Sequence, residues 1–290
     1  MKAAAVTSLR AHHRLPALLK AAGLARSTYF YHHRKATAPD PRAELKAAIE
    51  AAVLTGRGRY GHRRVHLLLA QAGWAVAKKT VLTLMRQLGL KCQVRRRRYN
   101  SYPGHEGASA PNVLQRRFQV PAPNQVWVSD VTEFALTGSK LYLSPVIDLH
   151  DHAVIAWSMS TSPSTAFTNA SLRQAFDTLP APAPGLMVHT DQGFQYRHRS
   201  WQALLAQNHA VQSMSRKGNC YDNSLAENFF GHLKSEAFLE GMPTTIEDLT
   251  EQIDAYIHWY NHERIQERLE GLTPMQYRCQ ALGATALATL

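Results

Sequence analysis

The run QVWVSDVTEF, residues 125–134, alternates like a strand and carries an aspartate in its middle. Aspartate is depleted in strands. A carboxylate among Val126, Val128, Val131 and Phe134 is costly to bury unless it is paired or bound to a cation. A chain that keeps Asp130 there must build a fold that answers its charge.

The same run marks a change of character along the chain. Residues 1–123 hold 23 Lys and Arg against 4 Asp and Glu, a net of +19, whereas residues 124–290 hold 10 against 17, a net of −7. Such asymmetry directs the basic half toward a polyanion, nucleic acid first and an anionic membrane surface second. With 290 residues and 45% hydrophobic content the chain is long enough for about two domains and can bury a core. It contains no apolar run of the length that crosses a membrane. Cys92, Cys220 and Cys279 lie far apart, with no CxxC pair and no disulfide framework, so a reducing cytoplasm is expected. The pairs His12-His13 and His32-His33 lack cysteines at finger spacing, and His62 and His66 lack the glutamate of H-E-x-x-H. Zinc is therefore not expected.

The basic half reads as helices. LPALLKAAGLARSTYFYHHRK, residues 15–35, predicts helix, turn, helix, with Leu15, Leu18 and Leu19 on one face, Gly23 as the break and Ser27 as the next cap. A helix-turn-helix and a plain helical hairpin fit it equally. Three more helices follow. They are RAELKAAIEAAVL, residues 60–72 with Val65, Leu68 and Leu69 inward, and residues 76–90 with Val81, Leu84, Met85 and Leu88 on one face. Arg63, Arg64, Lys78 and Lys79 fall on the polar side, where they form a basic rim for DNA or simply a solvated face. Arg95, Arg96, Arg97 and Arg98 open a linker rich in Tyr, Ser, Pro, Gly and Asn, and in this context they are expected to meet DNA phosphate.

From residue 124 the pattern turns to strands. QVWVSDVTEF, KLYLSPVIDLH and AVIAWSMST predict an antiparallel meander, with the short DLHDH turn joining the last two. Helix NASLRQAFDTL, strand GLMVHT, helix HRSWQALLAQN, strand AVQSMS and two further helices complete the order βββαβαβα, a mixed α/β class.

Three acids stand out in this half. Asp191 directly follows the buried strand GLMVHT, at the edge where α/β sheets place ligands, although Asp before Gln192-Gly193 is also an ordinary turn residue. Glu227 lies 35 residues further on, in CYDNSLAENFFGHLKSE, where Ser224 and Glu227 also fit a capping box. Asp130, Asp191 and Glu227 brought together would make a hard oxygen site for Mg²⁺ or Mn²⁺. Lys234 follows Glu227 by seven residues, about 20° short of two turns, so both share one helix face with Gly231 between them. Asp222 is left as a structural acid near the helix start, where Asp222, Asn223 or Ser224 can cap.

The spacing of Asp130, Asp191 and Glu227, with Lys234 beyond, resembles the DDE triad of retroviral-integrase-like transposases. NQVWVSDVTEF, VHTDQGFQY, SRKGNCYDNSLAENFFGHLKSE and YNHERIQERLEGLTPMQY resemble the OrfB-type transposases of the bacterial insertion-sequence three family. YGHRRVHLLLAQAGWAVAKKTVLTLMRQLGLK resembles their upstream helical segment. The similarity covers roughly residues 15–280. One departure is visible: the family usually carries histidine two residues past the arginine of YN-x-x-R, whereas Arg264 is followed by Ile265 and Gln266.

The resemblance implies an RNase H-like catalytic domain with a mixed five-stranded sheet. A helix-turn-helix-like basic domain precedes it and a C-terminal helical segment follows. The chain is thus read as an N-terminal helical segment over 1–40, a basic helical DNA-binding domain over 41–95, a basic linker over 96–123, a catalytic core over 124–240 and the C-terminal segment over 241–290. It also implies two divalent ions, Mg²⁺ or Mn²⁺, held by Asp130, Asp191 and Glu227. The substrates would be the element's terminal inverted repeats and target DNA, with Lys234, Arg216 and Lys217 on DNA phosphate. Homo-oligomers during synapsis and an upstream OrfA partner or fusion follow from the same resemblance. An inactive DNA-binding relic or regulator of the same fold is the alternative.

Overall fold

The computed structural model describes residues 2–94, 110–115, 119–180, 182–215, 223–239 and 241–283. Arg95, Arg96, Arg97, Arg98, Arg216, Lys217, Cys220 and Asp222 lie outside the described residues. The chain divides into two compact units, Met1–Ala51 and Ala52–Leu290.

The first unit is helical: α1 (Lys2–Leu9), α2 (Leu15–Ala22), α3 (Arg26–Thr37) and most of α4 (Ala43–Thr55). Val6, Leu19 and Tyr29 close its small core, flanked by Leu15 and Leu18. Helix α1 is not signalled in the sequence, because KAAAVTSL buries only Val6 and shows no amphipathic repeat. Gly23 ends α2 in the left-handed region (φ 58°), which lets the Leu24 N–H reach the Leu19 carbonyl at 3.0 Å. Ser27 does not cap α3 as expected. The helix starts one residue earlier, at Arg26, and Ala25 takes the cap position without a side-chain bond.

The second unit begins with a helix pair, α5 (His62–Gln71) and α6 (Lys78–Gln87), joined through Gly73 (φ 87°). Val65 and Leu69 on α5 and Val81, Leu84 and Met85 on α6 are buried, while Leu68 and Leu88 are only half-buried.

The sheet follows. Its strands are β1 (Val126–Ser129), β2 (Thr132–Leu136), β3 (Ser139–Asp148), β4 (Val154–Ser160), β5 (Met187–Thr190) and β6 (Val211–Met214). The expected first strand is split at Asp130 and Val131, yet its register against β3 runs unbroken, Ser129↔Val146 on one side and Thr132↔Leu143 on the other. That register sets Asp130 opposite Pro145, which has no N–H to give to a ladder. Counted as one strand, β1 and β2 sit between β3 and β5, with β4 and β6 at the two edges. This is the mixed five-stranded sheet expected of an RNase H-like core: β3 and β4 antiparallel, β5 and β6 parallel.

Alternation assigns the faces. Trp127 points into a core with Val146, Leu172, Phe176, Val188 and Trp201, under α7 (Thr165–Asp177) and α9 (Arg199–Gln207), which follows the short α8 (Phe194–Arg197). Val126 and Val128 face the other way, toward α10 (Ser224–Glu236), and α11 (Ile246–His262) packs against β3 and β4. On α11, Leu249, Ile253, Tyr256, Ile257 and Tyr260 are buried, as their helical spacing predicts. Asn261 pins the helix end to β4, accepting from the Val154 N–H at 3.0 Å and donating to its carbonyl at 2.8 Å.

Two buried ionic clusters fasten the C-terminal helices. Glu236, at the end of α10, accepts two hydrogen bonds from Arg264, 2.7 Å from Nε and 2.8 Å from Nη2, and a third from the Tyr256 hydroxyl at 3.1 Å. Burial alone would raise the Glu236 pKa, but the Arg264 contacts outweigh it and hold the carboxyl below its ordinary range. The residues just before α5 join the same cluster. Arg59 donates to the Glu236 carbonyl at 2.8 Å, and Tyr60 Oη donates to the Glu263 carbonyl while accepting from the Ile265 N–H.

In the second cluster, Arg278 on α12 (Pro274–Ala281) reaches Asp148 at 2.9 Å and Asp151 at 2.8 Å, in and beside the turn between β3 and β4. Burial and the neighbouring Asp148 charge push Asp151 up to about 6, despite Arg278.

Two stability predictions follow from these clusters. Glu236→Gln and Arg264→Met should each cost about 3–5 kcal/mol in urea unfolding, because each strands a buried charge. The double substitution Glu236→Met/Arg264→Met should cost less than their sum. Arg278→Met should destabilise more at pH 7.5 than at pH 5. The folded pKa of Asp151 lies above its ordinary value, so the folded state takes up the extra proton as pH falls through about 6, and the unpaired repulsion is relieved. Melting temperatures across that window test the sign.

Candidate active site

The parallel register of β1 and β5 pairs Val128 with His189. Two residues beyond each stand Asp130 and Asp191, level with one another at the strands' C-terminal ends. By alternation both side chains belong to the face that α10 covers.

Each aspartate is fixed by a local backbone bond. Asp130 Oδ1 accepts the Val131 N–H at 2.7 Å, and Asp191 Oδ1 accepts the Gly193 N–H at 2.8 Å. The second bond explains the glycine of Asp-Gln-Gly, since a Cβ at 193 would stand 2.9 Å from Asp191 Oδ1. Asp191 therefore does close a turn, and the turn aims its carboxylate. Gln192 ties that turn to the end of β6, donating to the Ser215 carbonyl at 3.1 Å.

Glu227 lies in the first turn of α10, half-buried. The capping box does not form. Asn223 occupies the N-cap, and no side-chain cap bond is made there. Lys234 lies on the same helix, its Nζ 5.2 Å from the Phe134 ring centroid.

The electrostatics tie these groups together. Burial raises Asp130 well above the usual carboxylate range, and the charges of Asp191 and Glu227 raise it further, against the pull of the Val131 N–H and Lys234. Burial raises Asp191, and Arg197 offsets part of that. Burial also raises Glu227. Among the described residues no three His, Cys, Asp or Glu side chains already stand as a closed ligand set. Asp130 lies within the field of both other acids, without the three being gathered around a point. Their donor chemistry, carboxylate oxygens with Asp130 raised by the other two charges, fits a hard divalent cation.

Several supporting residues gave no signal in the sequence. Tyr196 is buried with its hydroxyl 3.3 Å from Ser129 Oγ, and burial and the two aspartates push its pKa well up. His189 is held on both ring nitrogens, by Ser213 at 2.8 Å and Ser215 at 3.0 Å, which makes it a core residue. His66 contacts the Val76 carbonyl at 2.9 Å. The basic residues expected at the rim separate. Arg63 and Lys78 pair with Glu267 at 3.8 and 3.3 Å, Lys79 is exposed, and Arg64 turns inward to stand 3.8 Å from Glu236.

Known protein families and sequences match this chain. Two integrase core domain families match residues 120–220 and 227–282, and an HTH-like domain family matches residues 40–98. The putative transposase InsK for insertion sequence element IS150 of Escherichia coli is 46% identical over 275 residues, 95% of this chain and 97% of that one. The transposase for insertion sequence element IS904 of Lactococcus lactis is 35% identical, over 85% of this chain and 98% of its own. The probable transposase for insertion sequence element IS1353 of Shigella flexneri is 38% identical over 96% of this chain, which spans 54% of that longer protein. Among solved structures, the HTLV-2 integrase catalytic core in complex with magnesium is 23% identical with a TM-score of 0.45, over 54% of this chain and 97% of that one. No helix among the described residues is long and apolar enough to cross a membrane. With the integrase core matches spanning all three acids and the first relative aligned over nearly its whole length, the chain belongs to the OrfB-type transposases of the insertion-sequence three family.

Proposed function

We propose that this transposase cleaves the ends of its insertion element and joins the freed 3′-hydroxyls to DNA by phosphoryl transfer at Asp130, Asp191 and Glu227. The observation that carries the reading is the convergence of charge. Two aspartates stand level at the ends of adjacent parallel strands, and Glu227 adds its field to Asp130 from the covering helix. Two divalent ions, Mg²⁺ or Mn²⁺, supply a clamp for in-line displacement at phosphorus when bound there. Asp130, Asp191 and Glu227 would hold these ions, Asp130 being the acid that feels both of the others. Val131 and Gly193 orient the two aspartates through their N–H groups. Lys234, near Asp130 and extending from the same face as Glu227, neutralises incoming phosphate. Arg216 and Lys217 are proposed to do the same. Catalysis on this reading is positioning and charge neutralisation, without a covalent intermediate.

The net +19 of residues 1–123 supports DNA as the partner, held by its phosphates. The intact acids favour an active enzyme over a relic.

Asp130→Asn, Asp191→Asn and Glu227→Gln should each lower nicking and joining of DNA carrying the element's ends by at least about 10³-fold, since several kcal/mol of charge stabilisation leaves with the metal. DNA binding in an anisotropy assay should survive. Normal cleavage by any one of the three variants sinks the triad.

A second measurement needs no turnover. Metal-free Asp130→Asn should melt at a higher temperature than the metal-free wild type at pH 7.5, because the amide removes a repelled charge from a buried site. Mg²⁺ or Mn²⁺ should then raise the wild type's melting temperature and leave that of the variant unmoved.

A further inference from the structure

The α10 face that carries Glu227 and Lys234 runs into a cleft of about 890 Å³, walled by the start of α5, by α10 and by the segment after α11. Six Lys and Arg line it: Arg59, Arg63, Arg64, Lys234, Arg264 and Arg268. The acids there are Glu236 and Glu267. Glu236 is sealed under Arg264, so Glu267 is the acid left on the rim, with a side chain 47% exposed between Arg63 and Lys78. The trough is cationic, and its wall includes Lys234, which shares a helix face with Glu227 and acts on Asp130.

Gly231 forms part of its α10 wall, between Glu227 and Lys234. Glycine is the weakest helix former after proline. Its backbone here does not lie in the left-handed region, and a Cβ added at 231 would meet nothing within 4 Å. Neither conformation nor packing within the chain calls for glycine at this exposed position. What a bare backbone does provide is close approach for something outside the chain.

We infer that this cleft carries the phosphodiester backbone of the DNA entering the active site, with Gly231 as the point of closest approach and Glu267 as the acid the phosphates displace from Arg63 and Lys78. The inference rests on the proposed function, which puts DNA at the three acids. It adds the route and two residues that set it. A polyanion fits because the cleft offers several fixed cations along its length and one exposed competing acid. An acidic peptide segment is the other occupant the charge would admit.

The test uses the full chain, a short fluorescently labelled duplex and Mg²⁺, with binding and nicking read on the same samples. Gly231→Leu should melt no lower than wild type, because leucine is the better helix former and has open space. It should bind the duplex at least about tenfold more weakly. Gly231→Ala should raise the melting temperature by about 2 °C while weakening binding, so stability and affinity move in opposite directions. Glu267→Gln should bind more tightly, with a steeper fall in affinity as salt rises. Unchanged DNA binding by Gly231→Leu overturns the inference, as does an unchanged Glu267→Gln. The same holds if an acidic peptide loses affinity for Gly231→Leu while the duplex does not. If wild type nicks the duplex and Gly231→Leu nicks it equally well, the route is wrong and the chemistry stands. If wild type binds with these dependences and never nicks, the route stands and the proposed chemistry fails.

Discussion

Glu236 is the residue on which three parts of the second unit converge. Arg264 grips it from beyond α11, Tyr256 from within α11, and Arg59 holds the carbonyl of the same residue from the start of the helix pair. A buried ion pair is weak evidence for net stability, because desolvation cancels much of the attraction. Its value lies in specificity. A bidentate guanidinium tolerates one arrangement of two planar groups, so α10 has one position along its axis. That helix also carries Glu227 and Lys234, and fixing its far end sets where its near end meets the sheet.

The opposite side of the site is set by the sheet. Parallel pairing of β1 and β5 puts two strand ends at one level, and each ends in an aspartate. The chain lapses from the ladder at Asp130, opposite a proline, and turns at Asp191 through Gly193. Both features free a carboxylate from the sheet while anchoring it by one N–H. The result is a buried Asp130 whose carboxyl is raised by burial and by the charges of Asp191 and Glu227.

Much of this was legible from the residues. The switch from helical to alternating periodicity at residue 124, the order of strands and helices, and the buried faces of α5, α6 and α11 follow from apolar spacing, and the structure agrees with them. The misses have physical causes. Helix α1 buries one side chain, so it has no period to read. Ser27 looks like a cap in sequence, but Ala25 takes that position, since local signals fix a helix end only to within a residue or two. At α10 Asn223, one of the three expected caps, holds the position, and the Ser224–Glu227 capping box does not form. Arg64 reads as a rim cation by its position on α5, yet it turns inward toward Glu236, a residue 172 positions away in the chain. Tyr196 and the bracketing of His189 by Ser213 and Ser215 depend on which strands and helices become neighbours, and no local pattern announces that.

The sequence by itself determined the elements, the division of charge between the halves, and the acids worth weighing, because periodicity, composition and spacing are local properties. It also determined that Glu227 and Lys234 share a face, since a helix fixes that angle. Only the tertiary structure decided that Asp130 and Asp191 stand level. Strand register depends on hydrogen bonds between segments 61 residues apart, and a shift of one position would have turned an aspartate to the opposite face of the sheet.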